Sequence, residues 1–135
     1  MSPRPPLAPQ DWTDPRHRLG FAGEEEAIEY LLARGWRIEA HRFRIGRNDL
    51  DLVARKATLV AFIEVKTRRG AEFGPGRLSI GWKKRRAIAR VADVWRLRYG
   101  RPGDVYRFDV LEVASRPGGA SAIEHLADAW RGGSW

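Results

Sequence analysis

Cysteine is absent from these 135 residues and methionine occurs once. Without thiols the chain can build neither a disulfide framework nor a thiolate metal site, a composition compatible with a reducing cytoplasm. Long apolar runs are missing as well, since no stretch approaches the roughly 20 residues needed to span a bilayer. The segment Ser2-Pro3-Arg4-Pro5-Pro6 lacks the apolar core of a signal peptide. The expectation is a soluble, cytoplasmic protein with no membrane contact. Acidic residues are in deficit too, 17 against 25 lysines and arginines, which leaves a formal net charge of +8. That excess is mostly arginine, whose planar fork suits phosphate oxygens, so a polyanionic partner is favoured over a merely solubilising surface.

Length and pattern set the architecture. The chain fits one domain able to bury about two thirds of its unfolded surface. Residues 1–16 are proline-rich and poor in apolar side chains, which marks a flexible arm before a domain over 17–135. From Arg18 to Arg34 apolar residues recur at three- and four-residue steps through Phe21, Ala27, Ile28, Leu31 and Leu32, and Gly35 stands where a helix cap belongs. Strands are expected over Trp36–Phe43, Leu50–Ala54 and Leu59–Thr67, the last two apolar on both faces and therefore central. Gly70, Gly74, Pro75 and Gly76 mark a loop over 69–77. Ser79 can cap a second helix ending at Tyr99, with Ile80, Ala87, Ile88, Val91 and Trp95 inward. A strand over Val105–Val113, a Gly-rich turn and a short terminal segment with Ile123, Leu126 and Trp130 on one side complete the chain. This order predicts an α/β domain with a mixed sheet flanked by helices.

Chemistry concentrates between Asn48 and Arg68. Alternation along a strand puts Glu64 and Lys66 on one face of Phe62-Ile63-Glu64-Val65-Lys66-Thr67-Arg68, and Asp49 and Asp51 on one face of the strand before it. A hairpin closed near Lys56–Thr58 brings Asp51 opposite or diagonal to Glu64. Val53 and Phe62 share that face, which argues for a covered site rather than a solvated polar strand. Clustered acids raise one another's pKa unless a cation neutralises them, and Mg²⁺ or Mn²⁺ suits such oxygen ligands. Asp51, Glu64, the Val65 carbonyl and Glu24 are the candidate metal ligands. Lys66 is placed to orient water or stabilise charge on phosphorus. Glu24 lies within the apolar stripe of the first helix, so its carboxylate needs either a metal ion or a cationic side chain. Glu26 and Glu29 read as a solvated face.

Lys83, Lys84, Arg85 and Arg86 in the second helix serve equally as a solvated face or as phosphate contacts. Lys84 is nearer the inward side and can reach the acids. Trp82, in this basic setting, is the candidate for stacking a base, whereas Trp36, Trp95 and Trp130 read as core. Arg68 extends the basic surface beside Lys66. His17, His41 and His125 show no ligand spacing and receive no catalytic role.

Together, Gly20, Gly23, Glu24 and Ala27, the run Asp49-Leu50-Asp51-Leu52, the strand from Phe62 to Arg68, Phe73-Gly74, Lys84, Arg107-Phe108-Asp109-Val110 and Ile123-Glu124-His125 resemble the YraN-like family of uncharacterised bacterial proteins. The resemblance covers nearly everything after residue 17. It implies the restriction-endonuclease-like fold of PD-(D/E)xK nucleases, similar to archaeal Holliday-junction resolvases, with Glu24, Asp51, Glu64 and Lys66 at the catalytic positions. Where the family usually has Gly-Glu, this chain has Asn48-Asp49. The implied activity is metal-dependent cleavage of DNA, branched or single-stranded. By analogy with dimeric resolvases a homodimer is implied as well. A nucleic-acid-binding accessory protein of the same fold is the alternative.

Overall fold

The structure, a computed structural model, describes residues 15–69, 80–116 and 119–132, with the side chains of 23–68, 80–114 and 121–132. Helix α1 (Pro15–Ala33) is followed by strands β1 (Arg37–Ile45), β2 (Asn48–Lys56) and β3 (Leu59–Arg69). Helix α2 (Trp82–Tyr99) then leads to β4 (Val105–Arg116) and β5 (Gly119–Trp130). The strands form one mixed sheet in chain order. All neighbours are antiparallel except β3 and β4, which run parallel and are joined through α2. The α/β domain expected from the pattern is therefore present. The expected arm falls on residues 1–14 outside the described range, apart from Pro15 and Arg16, which open α1 three residues before the predicted start. The loop expected over 69–77 also falls outside it, except for Arg69.

Local chemistry explains the element ends. α1 stops at Gly35, whose φ of 86° suits a residue without Cβ. There Trp36 N–H donates to Leu31 O at 3.0 Å and Gly35 N–H to Leu32 O at 3.1 Å, the paired bonds of a Schellman motif. Two-residue turns at Gly46-Arg47 and Ala57-Thr58 close the hairpins β1–β2 and β2–β3. α2 begins later than the sequence implied. Its N-cap is Gly81, and no side chain caps it, so the cap expected from Ser79, outside the described residues, is not the one used. Three cations in its first turn, Lys83, Lys84 and Arg85, face the positive end of the helix dipole without a side-chain cap to offset them.

The two faces of the sheet carry separate cores, as period-two alternation requires. Ala27 and Leu31 of α1 pack with Leu52, Ala54, Ala61, Ile63, Leu111 and Val113. Ile88, Val91 and Trp95 of α2 pack with Val53, Val60, Phe62, Phe108 and Val110. Leu32, expected in the α1 stripe, is instead 54% exposed. Gly23 permits the closest approach of α1 to the sheet, because a Cβ there would lie 1.8 Å from Thr67 Cγ2.

The terminal segment is a fifth strand, a departure from the sequence reading. Val110 pairs with Leu126 and Phe108 with Trp130, so four residues of β5 span two of β4. The extra residues include Asp128 at φ 53°. Ile123, Leu126 and Trp130, expected on one side, are divided by the strand: Ile123 packs against the α1-side core and Trp130 lies in the α2-side core. Asp109 fixes the bulge from β4. Its fully buried carboxylate accepts from Asp128 N–H at 2.9 Å and from Arg107 Nε at 2.8 Å, and it lies 2.7 Å from His125 Nε2.

Burial alone would raise the Asp109 pKa, but hydrogen bonds from His125, Arg107 and the Asp128 N–H outweigh it and hold the group low. A lowered carboxylate stabilises the fold above its unfolded pKa, and that contribution is lost as pH falls through the folded value. Asp109→Asn should therefore cost roughly 3 kcal/mol at neutral pH. The difference from wild type, read by urea denaturation, should narrow in acid.

Candidate active site

Pairing across the β2–β3 turn runs from Lys56 with Leu59 to Leu52 with Ile63. Just beyond that last pair Asp51 meets Glu64, with which it shares a hydrogen bond, as the hairpin reading expected. Val53 and Phe62 on the same face are fully buried, so the acids sit at the rim of the α2-side core. One Asp51 oxygen accepts from Val65 N–H at 2.8 Å. Because N–H and C=O of one strand residue point to the same edge, the Val65 carbonyl also faces the β2 side.

The pair is electrostatically loaded. Burial, then a hydrogen bond shared with Glu64 and the repulsion of its charge, push Asp51 well above the usual carboxylate range. Lys84 reaches over from α2, its Nζ 3.3 Å from Glu64 Oε2. Burial opposes the ammonium charge, but Glu64, and behind it Asp51 and Asp49, outweigh it and raise the lysine pKa. Asp51, Glu64, Val65, Lys66 and Lys84, with Ile80 and Gly81, line an open cavity of about 360 Å³. The structure thus brings together Asp51, Glu64, Val65, Lys66 and Lys84.

Glu24 is held apart from them. Its buried carboxylate lies 3.1 Å from His41 Nε2 and takes both Nε and Nη2 of Arg42. Burial would raise its pKa, but the hydrogen bonds from His41 and Arg42, with the Arg42 charge, hold it low. Of the two partners the sequence allowed, the structure supplies the cationic side chain. Among the described residues, no group of three or more His, Asp or Glu side chains is arranged to hold a metal ion.

The N-terminal turn of α2 forms the outer wall. Trp82 is 63% exposed, and Lys83 Nζ and the Arg86 guanidinium each lie 5.8 Å from its ring centroid. Trp36, Trp95 and Trp130 are buried, as expected. Arg68, on the Glu64 face of β3, places Nε 3.3 Å from Glu112 of β4.

Three residues escaped the sequence reading. Glu112 is fully buried, pairs with Lys66 in the β3–β4 register, and accepts no hydrogen bond from the described residues at either oxygen. Its signal was available: Phe108, Val110 and Glu112 form one alternating row, and the acid breaks it. His41 and Arg42 carry no comparable signal, because their role depends on where α1 packs.

Known proteins bear on this arrangement. The profile of uncharacterised protein family UPF0102 matches residues 23–113, the span holding every acid described above. A UPF0102 protein of Nocardia farcinica is 40% identical over 111 residues, covering 82% of this chain and 87% of the relative. Another, from Symbiobacterium thermophilum, is 40% identical over 113 residues, covering 84% and 96%. A third, from Rhodopseudomonas palustris, is 37% identical over 130 residues, covering 96% and 94%. The chain belongs to the UPF0102 family, the YraN-like proteins that its motifs resemble.

Proposed function

We propose that this protein is a metal-dependent nuclease that hydrolyses phosphodiesters of DNA. The observation that carries the reading is the meeting of Asp51 and Glu64, whose carboxyl groups share a hydrogen bond, with Lys66 and Lys84 on the same cavity. Two hard oxygen donors side by side on one cavity are a fitting donor set for Mg²⁺ or Mn²⁺, which often takes only one or two carboxylates and keeps its waters. Asp51 and Glu64, with the Val65 carbonyl, would hold the ion, whose charge polarises a phosphoryl oxygen and lowers the pKa of water.

The chain's own groups supply the rest. Lys66, two residues from Glu64 on the same face, offsets negative charge developing on the attacked phosphorus. Lys84 forms an ion pair with Glu64. Lys83 and Arg86 meet backbone phosphates beside the site, while Trp82 offers a face to a base. The net charge of +8 draws the polyanion in.

A non-catalytic nucleic-acid-binding protein is the second reading. The capture of Glu24 by Arg42 favours it, because it removes one acid from the set that would hold metal.

Purified protein should cut branched or linear DNA in Mg²⁺ or Mn²⁺, and Asp51→Asn, Glu64→Gln or Lys66→Ala should each lower the rate by about 10²-fold or more. DNA binding without cleavage, or cleavage indifferent to these changes, would select the accessory reading.

The raised Asp51 pKa sets a pH dependence. The proton on the acid pair must leave before a cation enters, so Mn²⁺ affinity measured by calorimetry should rise with pH above the ordinary carboxylate range. By linkage, a raised carboxylate stabilises the apo fold below its unfolded pKa, and that contribution is lost as pH climbs through the folded value. Asp51→Asn should accordingly raise the melting temperature of the metal-free protein at neutral pH and above.

For the outer wall, Lys83→Ala and Arg86→Ala should each flatten the slope of log Kd against log salt by about 1. Trp82→Ala should cost about 1–3 kcal/mol in single-strand binding, read by anisotropy.

A further inference from the structure

Arg42 sits at an unusual point of the sheet. His41 pairs with Leu52 and Phe43 with Leu50, so Arg42 and Asp51 lie between the same two rungs without forming a pair of their own. Asp51 in turn shares a hydrogen bond with Glu64 of β3. Arg42 has φ 54°, in the left-handed region that a side chain with Cβ rarely adopts. Such a residue is redirected from the regular alternation, and its conformation must be upheld by its surroundings.

Glu24 upholds it. The carboxylate grips Nε and Nη2 of Arg42 in a fork, and His41 Nε2 contacts the same oxygen that accepts Nε. This bidentate geometry fixes the guanidinium plane as well as its position. The Arg42 side chain is 25% exposed, against 8% for Glu24. Its charge feels Asp51 and Asp49 besides Glu24. A fixed, partly exposed cation thus stands beside the acid pair, on the side where a helix-borne acid would otherwise bring a metal ion.

We infer that Arg42 is a built-in cation of this site, oriented by Glu24 as a positioning residue, and that it takes the place of a second metal ion in stabilising phosphodiester charge. The site then binds one divalent ion, through Asp51 and Glu64, and Glu24 is not among its ligands. This rests on the nuclease reading.

Mn²⁺ titration by calorimetry, with DNA cleavage measured in parallel, tests it. Wild-type protein should bind one Mn²⁺. Glu24→Gln should keep that affinity within about twofold while kcat falls about 10²-fold, and Arg42→Ala should do the same. Asp51→Asn should lose Mn²⁺ binding outright. If Glu24→Gln fails to fold because Arg42 is left without its counter-charge, the double variant Glu24→Gln, Arg42→Gln removes both charges and gives the same readouts. Loss of Mn²⁺ affinity in a Glu24 variant comparable to that in Asp51→Asn would overturn the inference, as would cleavage unaffected by Arg42→Ala. Those failures leave the wild type active and metal-bound. A wild type that neither binds Mn²⁺ nor cuts DNA sinks the nuclease reading itself, and the inference with it.

Discussion

Two like charges facing each other across a β-hairpin are the constraint to which the rest of this structure answers. The two-residue turn at Ala57-Thr58 fixes the register, and just beyond its last pair Asp51 meets Glu64. Neither acid can slip away, since a one-residue shift would turn Val53 and Phe62 out of the core. The repulsion is met instead by what surrounds it: the Val65 N–H on one Asp51 oxygen, Lys84 on Glu64, and Arg42 one strand over. Every compensating group comes from a different segment.

The same logic governs acids farther along the sheet. Glu112 is buried beside Arg68 and opposite Lys66, and Asp109, on the other face, is surrounded by donors from β4 and β5. At Glu24 and Asp109 the buried charge is matched by arginine, whose fork satisfies a carboxylate with two bonds. That leaves much of the chain's positive excess committed internally. Lys83 and Arg86, around Trp82, are among the cations turned outward.

Much of this could be read from the chain. The hairpin was legible because its signals are local: alternation of period two, and a turn too short to permit another register. Both helices were legible from their stripes, with α1 stopping at Gly35 as expected. β5 was not, because the three- and four-residue spacing of Ile123, Leu126 and Trp130 imitates one face of a helix, and only the partner strand reveals the two extra residues around Asp128. The start of α2 was misjudged since the residue that caps it, Gly81, offers no side chain to recognise. At the site, Asp51, Glu64 and Lys66 followed from alternation alone. The partner of Glu24 did not, because it depends on how closely α1 approaches the sheet at Gly23 and on the left-handed backbone of Arg42. Sequence spacing carries neither.

The parallel pairing of β3 with β4 has a consequence for how the molecule assembles. The acid pair belongs to a hairpin whose strands are neighbours in the chain, and such contacts close early. Lys84 and the basic turn of α2 reach that pair only once the chain has crossed the sheet and β4 has docked, a non-local step with a larger loop entropy to overcome. During folding the two carboxylates therefore meet before their lysine arrives. The site passes through a stage in which its repulsion is least relieved.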